Sequence, residues 1–92
     1  IREGRRPDGS LIGPPMPFAF YRGISDADAR AIVAYLRSVP PVRNAVERSS
    51  FAHPLPPAWG PPVTSVPPPA DNAVARGAYL AGPLGHCLDC HT

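Results

Sequence analysis

The most regular pattern of apolar and polar positions in the chain spans residues 26–38. Its apolar stripe recurs at helical spacing and consists of Ala29, Ile32, Tyr35, Leu36 and Val39. Ser25 stands directly before the pattern, and Asp28 follows three positions later as an aspartate variant of the capping box. Pro40 and Pro41 stop the pattern. The sequence therefore predicts a helix over residues 26–38 that buries this stripe.

A second, shorter helix is predicted over residues 71–81. Asp71 or Asn72 provides its N-cap, and Gly82-Pro83 should end it. A glycine in a helix interior costs about 1 kcal/mol relative to alanine, so Gly77 calls for a reason. Either another backbone approaches closely at Gly77, which glycine permits, or the short helix simply tolerates the glycine.

The remainder of the chain has no periodic pattern. Residues 1–24 are interrupted by prolines and glycines and are predicted to form a loop with an apolar side. Residues 40–70 are rich in proline and are predicted to form an extended linker with polyproline II character. The predicted fold class is mainly α, with helices joined by a long irregular Pro-rich linker.

Composition excludes several classes of function. The chain has 92 residues, 15 prolines and a formal net charge of +2, which gives no case for nucleic-acid binding. No apolar run approaches the length of about 20 residues that a membrane span needs. No nucleophile stands at a recognisable spacing from a base and an acid, so we do not expect an enzyme active site.

The strongest chemical signal is Cys87-Leu88-Asp89-Cys90-His91, which contains both cysteines of the chain. The C-x-x-C-H pattern is typical of c-type haem attachment. Each thiol can form a thioether to a haem vinyl group, and the imidazole that follows can bind iron as the proximal ligand. We therefore predict covalent haem c on Cys87 and Cys90, with His91 as proximal iron ligand.

Other uses of these residues remain open from the pattern alone. A structural zinc site needs about four ligands, and only His53 and His86 could join the motif. A redox C-x-x-C pair usually follows a strand, and no strand pattern precedes this one. The two thiols could also be inert.

Two stretches carry a family resemblance. The run Gly-Ala-Tyr-Leu-Ala-Gly-Pro-Leu-Gly-His-Cys-Leu-Asp-Cys-His-Thr at residues 77–92 resembles the opening of a class I c-type cytochrome domain. Residues 4–44, with Gly-Pro-Pro-Met-Pro-Phe followed by the predicted helix, resemble the closing half of such a domain. The resemblance is to the multi-haem cytochrome c subunits that accompany periplasmic alcohol, aldehyde and related dehydrogenases.

The resemblance implies a second iron ligand. Met16 matches the family's ligand loop and would be a distal ligand, whose neutral thioether raises the reduction potential. A gap-filling core methionine is the alternative. In the family the haem motif comes before the methionine, whereas here Met16 comes before Cys87. We therefore expect Met16 to bind the iron of a different haem from that of His91.

The inverted order also predicts a domain organisation. Residues 1–39 would be the C-terminal half of one cytochrome c domain, residues 40–70 a Pro-rich linker, and residues 71–92 the start of the next domain. The chain would then be part of a longer tandem cytochrome. In the resembling family the first and last helices of a domain cross, which implies that Gly77 packs against the apolar stripe of the first helix. The two helices could make this contact within one chain, as in a permuted domain, or between two chains, as in a swapped dimer.

The expected function is electron transfer through haem c. The resemblance implies a periplasmic protein whose partners are a dehydrogenase subunit and further haem domains. The alternative is a Pro-rich interaction segment in which Cys87, Cys90 and His91 hold zinc or nothing. A thiol–disulfide enzyme is a third possibility, but it would need a thioredoxin-like fold that the sequence does not indicate.

Overall fold

The computed structural model describes residues 1–91; Thr92, which ends the third predicted segment, lies outside the described residues. The elements are α1 (Phe18–Tyr21), α2 (Asp26–Ser38), α3 (Ala73–Tyr79), a π-helical turn (Leu80–Leu84) and a 3-10 turn (Cys87–Asp89). Over residues 1–91 there is no β-strand, only an isolated antiparallel bridge between Arg5 and Leu11. The mainly α fold class is confirmed. None of these helices is long and apolar enough to cross a membrane.

Helix α2 has the bounds that its local signals predict. The Ser25 hydroxyl accepts a hydrogen bond from the Asp28 backbone N–H at 3.2 Å, which satisfies one of the free donors of the first turn. At the other end, Val39 is extended, as expected for a residue that precedes proline. The predicted helix over residues 26–38 is therefore confirmed.

The buried core lies at the N-terminal loop and not along α2. Its apolar members are Leu11, Phe18 and Ile24. The Phe18 ring stacks on Trp59, with centroids 6.0 Å apart, and the Trp59 indole N–H donates to the Ile12 carbonyl at 2.9 Å. The core therefore depends on a contact between the beginning of the chain and its Pro-rich segment.

Residues 1–24 are more ordered than the predicted loop. The backbone turns back on itself between Arg5 and Leu11, and α1 follows directly after Pro17. Proline suits the start of a helix because its missing N–H would have no intrahelical partner there. The expectation of a loop throughout this region is wrong for α1.

Residues 59–66, here called the strap, cross the N-terminal loop and the start of α2. The Val63 N–H donates to a Glu3 carboxylate oxygen at 2.7 Å. The Asp26 N–H donates to the Val66 carbonyl at 2.9 Å, and the Val66 N–H donates to the Asp26 carboxylate at 3.2 Å. This part of the Pro-rich segment is irregular, as predicted, but it is bound to the rest of the molecule.

The predicted packing of the α2 stripe on Gly77 is wrong. The side chains of Tyr35 and Leu36 are 69% and 58% exposed. No atom outside α3 lies within 4 Å of the position that a Cβ at Gly77 would occupy. The two helices meet instead through Tyr79, which reaches the first turn of α2.

Exposure of the stripe gives a testable result for Leu36→Ala in the 92-residue chain. Burial would predict a loss of about 2–5 kcal/mol in the free energy of unfolding. Because Leu36 is exposed, we expect a change within about 0.5 kcal/mol, measured by urea denaturation. Ile24→Ala is the matched control, since Ile24 is buried and its truncation should cost about 2–5 kcal/mol. A similar loss in both variants would contradict this assignment.

Candidate haem-attachment site

A π-helical turn connects α3 to the cysteine motif. The Gly85 N–H donates to the Leu80 carbonyl at 2.8 Å, five positions earlier, so the helix widens around Pro83. Proline has no N–H to donate and its ring crowds the preceding turn, and the wider turn accommodates both. The prediction that Gly82-Pro83 ends the helix is therefore wrong, because the helical path continues to Leu84.

His86 sets the direction in which the motif leaves this turn. Its backbone is left-handed, with φ 40° and ψ 33°, which is uncommon for a residue with a side chain. The His86 N–H donates to the Gly82 carbonyl at 2.7 Å, and the His86 carbonyl accepts from the Asp89 N–H at 3.0 Å. His86 thus ends one helical turn and begins the next.

The motif itself forms a single helical turn. The Cys87 carbonyl accepts from the N–H groups of Cys90, at 3.3 Å, and His91, at 2.9 Å. Residues three and four positions apart on a helical turn share a face, so both thiols and the imidazole belong to one side of it. Both cysteines are exposed free thiols, and His91 is exposed. This arrangement fits thioether bonds from the two sulfurs and an axial ligand from the ring.

The same geometry disfavours a zinc site. Within residues 1–91, no three histidine, cysteine, aspartate or glutamate side chains are grouped so that they could hold a metal ion. The Cys87 sulfur lies 3.7 Å from the Gly85 carbonyl, a weak intramolecular contact. The alternative of a Cys/His zinc site is therefore not favoured.

His86 also contacts the N-terminal part of the chain. Its ring meets the Tyr21 ring edge to face, with centroids 5.7 Å apart and planes at 74°. Nearby, a Cβ at Gly23 would lie 2.8 Å from the Pro83 ring, so the backbone at Gly23 passes close to the π-helical turn. His86 is half-buried at this contact. The apolar side of the N-terminal loop, which includes Tyr21, was the sequence signal for this contact.

A hydrogen-bonded cluster around Tyr79 holds α3 on the first turn of α2. The Tyr79 hydroxyl donates to the Asp28 carboxylate at 2.6 Å and accepts from the Ser25 N–H at 2.9 Å. The Ser25 hydroxyl donates to the same carboxylate oxygen at 3.0 Å. Donation by Tyr79 and then by Ser25 holds the pKa of Asp28 below its ordinary value. This cluster, here called the Tyr79 clamp, fixes the helix that leads to the motif.

Met16 lies directly before α1. Its carbonyl accepts from the Phe18 N–H at 2.9 Å, and its side chain is 45% exposed. The alternative of a gap-filling core methionine is therefore wrong in this structure. Among the described residues, no hydrogen bond joins Met16 to Cys87, Cys90 or His91. The role of Met16 as an iron ligand stays a prediction.

Comparison with known proteins gives relatives that align with the whole chain. No family model and no solved structure matches the chain. The whole chain aligns at 36% identity with the gluconate 2-dehydrogenase cytochrome c subunit of Pantoea cypripedii. It aligns at 35% with the cytochrome c subunit of the quinone alcohol dehydrogenase of Gluconobacter oxydans, and at 31% with a diheme cytochrome c-type protein of Cereibacter sphaeroides.

The whole chain is similar to segments of these cytochrome c proteins. It spans only 24%, 22% and 34% of the length of those three relatives.

Proposed function

We propose that the chain is an electron-transfer segment of a multi-haem c-type cytochrome that serves a dehydrogenase. The observation that carries this proposal is the turn of Cys87, Cys90 and His91, which presents two free thiols and an imidazole, all exposed, on one hydrogen-bonded turn. Support comes from relatives that are named as cytochrome c subunits of gluconate and alcohol dehydrogenases. The chain itself is not the catalytic subunit in this proposal.

The residues of the turn have distinct roles. Cys87 and Cys90 would hold haem through thioether bonds from their sulfurs. His91 would bind the iron through its imidazole. Bound haem supplies a one-electron redox couple, while the protein sets ligands, solvent access and partner surface. The Tyr79 clamp holds this turn in place through α3.

Met16 would serve a second haem. Its thioether is exposed and lies in a proline-rich loop that ends at Pro17, just before α1. The sulfur could therefore bind the iron of a haem held by another part of the protein. Under this proposal residues 1–39 complete one cytochrome c domain, residues 40–70 link it to the next, and residues 71–92 begin the second. A thioether ligand favours reduced iron, which suits an electron acceptor.

The partner and compartment follow from the same family. We propose that a dehydrogenase subunit reduces the protein and that further haem domains accept the electron. Haem attachment in resembling proteins takes place outside the cytoplasm, so we place the mature protein in the periplasm. The contacts of Tyr79 with Ser25 and Asp28 form within one chain, and a swapped dimer stays a prediction.

The proposal is tested on the full-length gene product, produced with a periplasmic haem-attachment system. We expect the peptide that contains Cys87 and Cys90 to keep the mass of haem after denaturation and proteolysis. We also expect the visible bands of six-coordinate reduced haem to appear when the dehydrogenase and its substrate are added. Free thiols at both cysteines in that preparation would overturn the proposal.

A further inference from the structure

A row of three rings joins the Met16 loop to the haem-attachment turn. The rings of Phe18 and Tyr21 meet edge to face, with centroids 6.3 Å apart and planes at 75°. The rings of Tyr21 and His86 meet in the same way at 5.7 Å and 74°. Both arrangements are among those that aromatic pairs prefer. The three residues are here called the aromatic row.

Each end of the aromatic row is tied to one proposed iron ligand or attachment site. At one end, the Phe18 N–H donates to the Met16 carbonyl at 2.9 Å. At the other end, His86 is bonded directly to Cys87 and begins the turn that carries Cys90. The row therefore runs from the residue proposed to bind one iron to the residues proposed to hold the other haem.

The aromatic row is also packed by its surroundings. Phe18 is 5% exposed, and Tyr21 and His86 are half-buried. The close approach of Gly23 to Pro83 lies along the same contact. The rings therefore lie where the N-terminal segment, which contains α1, packs against the segment that leads to the cysteine motif.

We propose that the aromatic row is the packed route by which an electron passes between the two haems. This inference rests on the proposed function, including the assignment of Met16 to a haem other than that of His91. Tunnelling is much faster through atoms in contact than across a gap, and the row offers ring-to-ring contact from the segment that follows Met16 to the residue that precedes Cys87. The transferred electron would oxidise one haem iron and reduce the other, and no bond or proton would move.

A purely structural role for the row predicts a different result. The Tyr79 clamp joins the same two parts of the chain by hydrogen bonds, but its ring is not a member of the row. Tyr79→Phe weakens the attachment without opening a gap between Phe18 and His86. Tyr21→Ala opens such a gap, while Tyr21→Phe keeps the ring and serves as the matched control.

The experiment uses the full-length protein with its haems. One haem is reduced by a light flash, and the rate of electron transfer to the other is followed by absorbance. The reduction potential of each haem and the iron–iron distance, from pulsed electron paramagnetic resonance, are measured for every variant. His86→Ala opens the other end of the row and covers the case in which Tyr21→Ala does not fold.

We expect Tyr21→Ala and His86→Ala to slow the transfer by about tenfold, because removal of a ring leaves its neighbours without atoms in contact on that side. Tyr21→Phe and Tyr79→Phe should keep the parent rate within about twofold, with potentials and distance unchanged in all variants. An unchanged transfer rate in both alanine variants, or an equally large fall of the rate in Tyr79→Phe, would overturn the proposed route but not the proposed function. A protein in which Met16 binds no iron would overturn the proposed function as well.

Discussion

Replacing both Cys87 and Cys90 by serine is expected to abolish covalent haem attachment. A serine hydroxyl has nearly the shape of the thiol but does not form the thioether, and both sulfurs are exposed where a haem could reach them. The described residues contain no other cysteine, and neither does the sequence. In the full-length protein, we expect the peptide that carries these positions to lose the haem mass completely, as measured after extraction with acidified acetone.

His91→Ala is the matched control for this prediction. The two thiols remain on the same helical turn, so haem should stay covalently bound and should resist extraction. Loss of the imidazole removes the proximal ligand, and the visible spectrum should change from a six-coordinate to a high-spin form. Extractable haem in His91→Ala, or retained haem in the double serine variant, would contradict the assigned roles of these residues.

The parts of the fold that could be predicted are specified by residues close in sequence. Ser25 and Asp28 form the N-cap of α2, and the prolines after Val39 prevent its continuation, so both ends of α2 follow from local chemistry. The turn of the cysteine motif is local as well, because its hydrogen bonds join residues three or four positions apart.

The parts that could not be predicted depend on contacts between distant residues. A helical stripe predicts which side chains share a face, but burial requires a second element, and the partner of Leu36 is not specified by its own helix. Trp59 lies in the Pro-rich segment and stacks on Phe18, which is about forty positions earlier in the sequence. Proline-rich composition does not indicate which residue of that segment contacts Phe18, so the core at the N-terminal loop could not be predicted.

The candidate site also has a local part that could be predicted and a distant part that could not. The motif of Cys87, Cys90 and His91 is recognised by its spacing. The contribution of His86 depends on its left-handed backbone and on the ring of Tyr21, which lies near the other end of the chain. The Tyr79 clamp could not be predicted either, because it joins Tyr79 to residues that are distant in sequence. Its hydroxyl satisfies the backbone N–H of the buried Ser25.

Phe18→Ala is expected to cause the largest loss of stability among single substitutions in the 92-residue chain. Phe18 is 5% exposed, and its ring stacks on Trp59. A Cβ placed at Gly4 would come within 2.7 Å of the ring, so the backbone closes over it there. Truncation of a buried phenylalanine costs about 3–5 kcal/mol, through lost burial and the cavity that remains.

That loss is large compared with what so small a core supplies. A domain of this size has a free energy of unfolding of about 5–14 kcal/mol, so Phe18→Ala should remove a large part of the stability at 25 °C. Urea denaturation followed by fluorescence reports directly on this contact, because Trp59 is the only tryptophan. Phe51→Ala is the matched control: Phe51 is 39% exposed and lies against Gly13 at the edge of the molecule, so the loss should be smaller. A Phe51→Ala loss equal to that of Phe18→Ala would show that the ring stack does not hold the N-terminal loop to the strap.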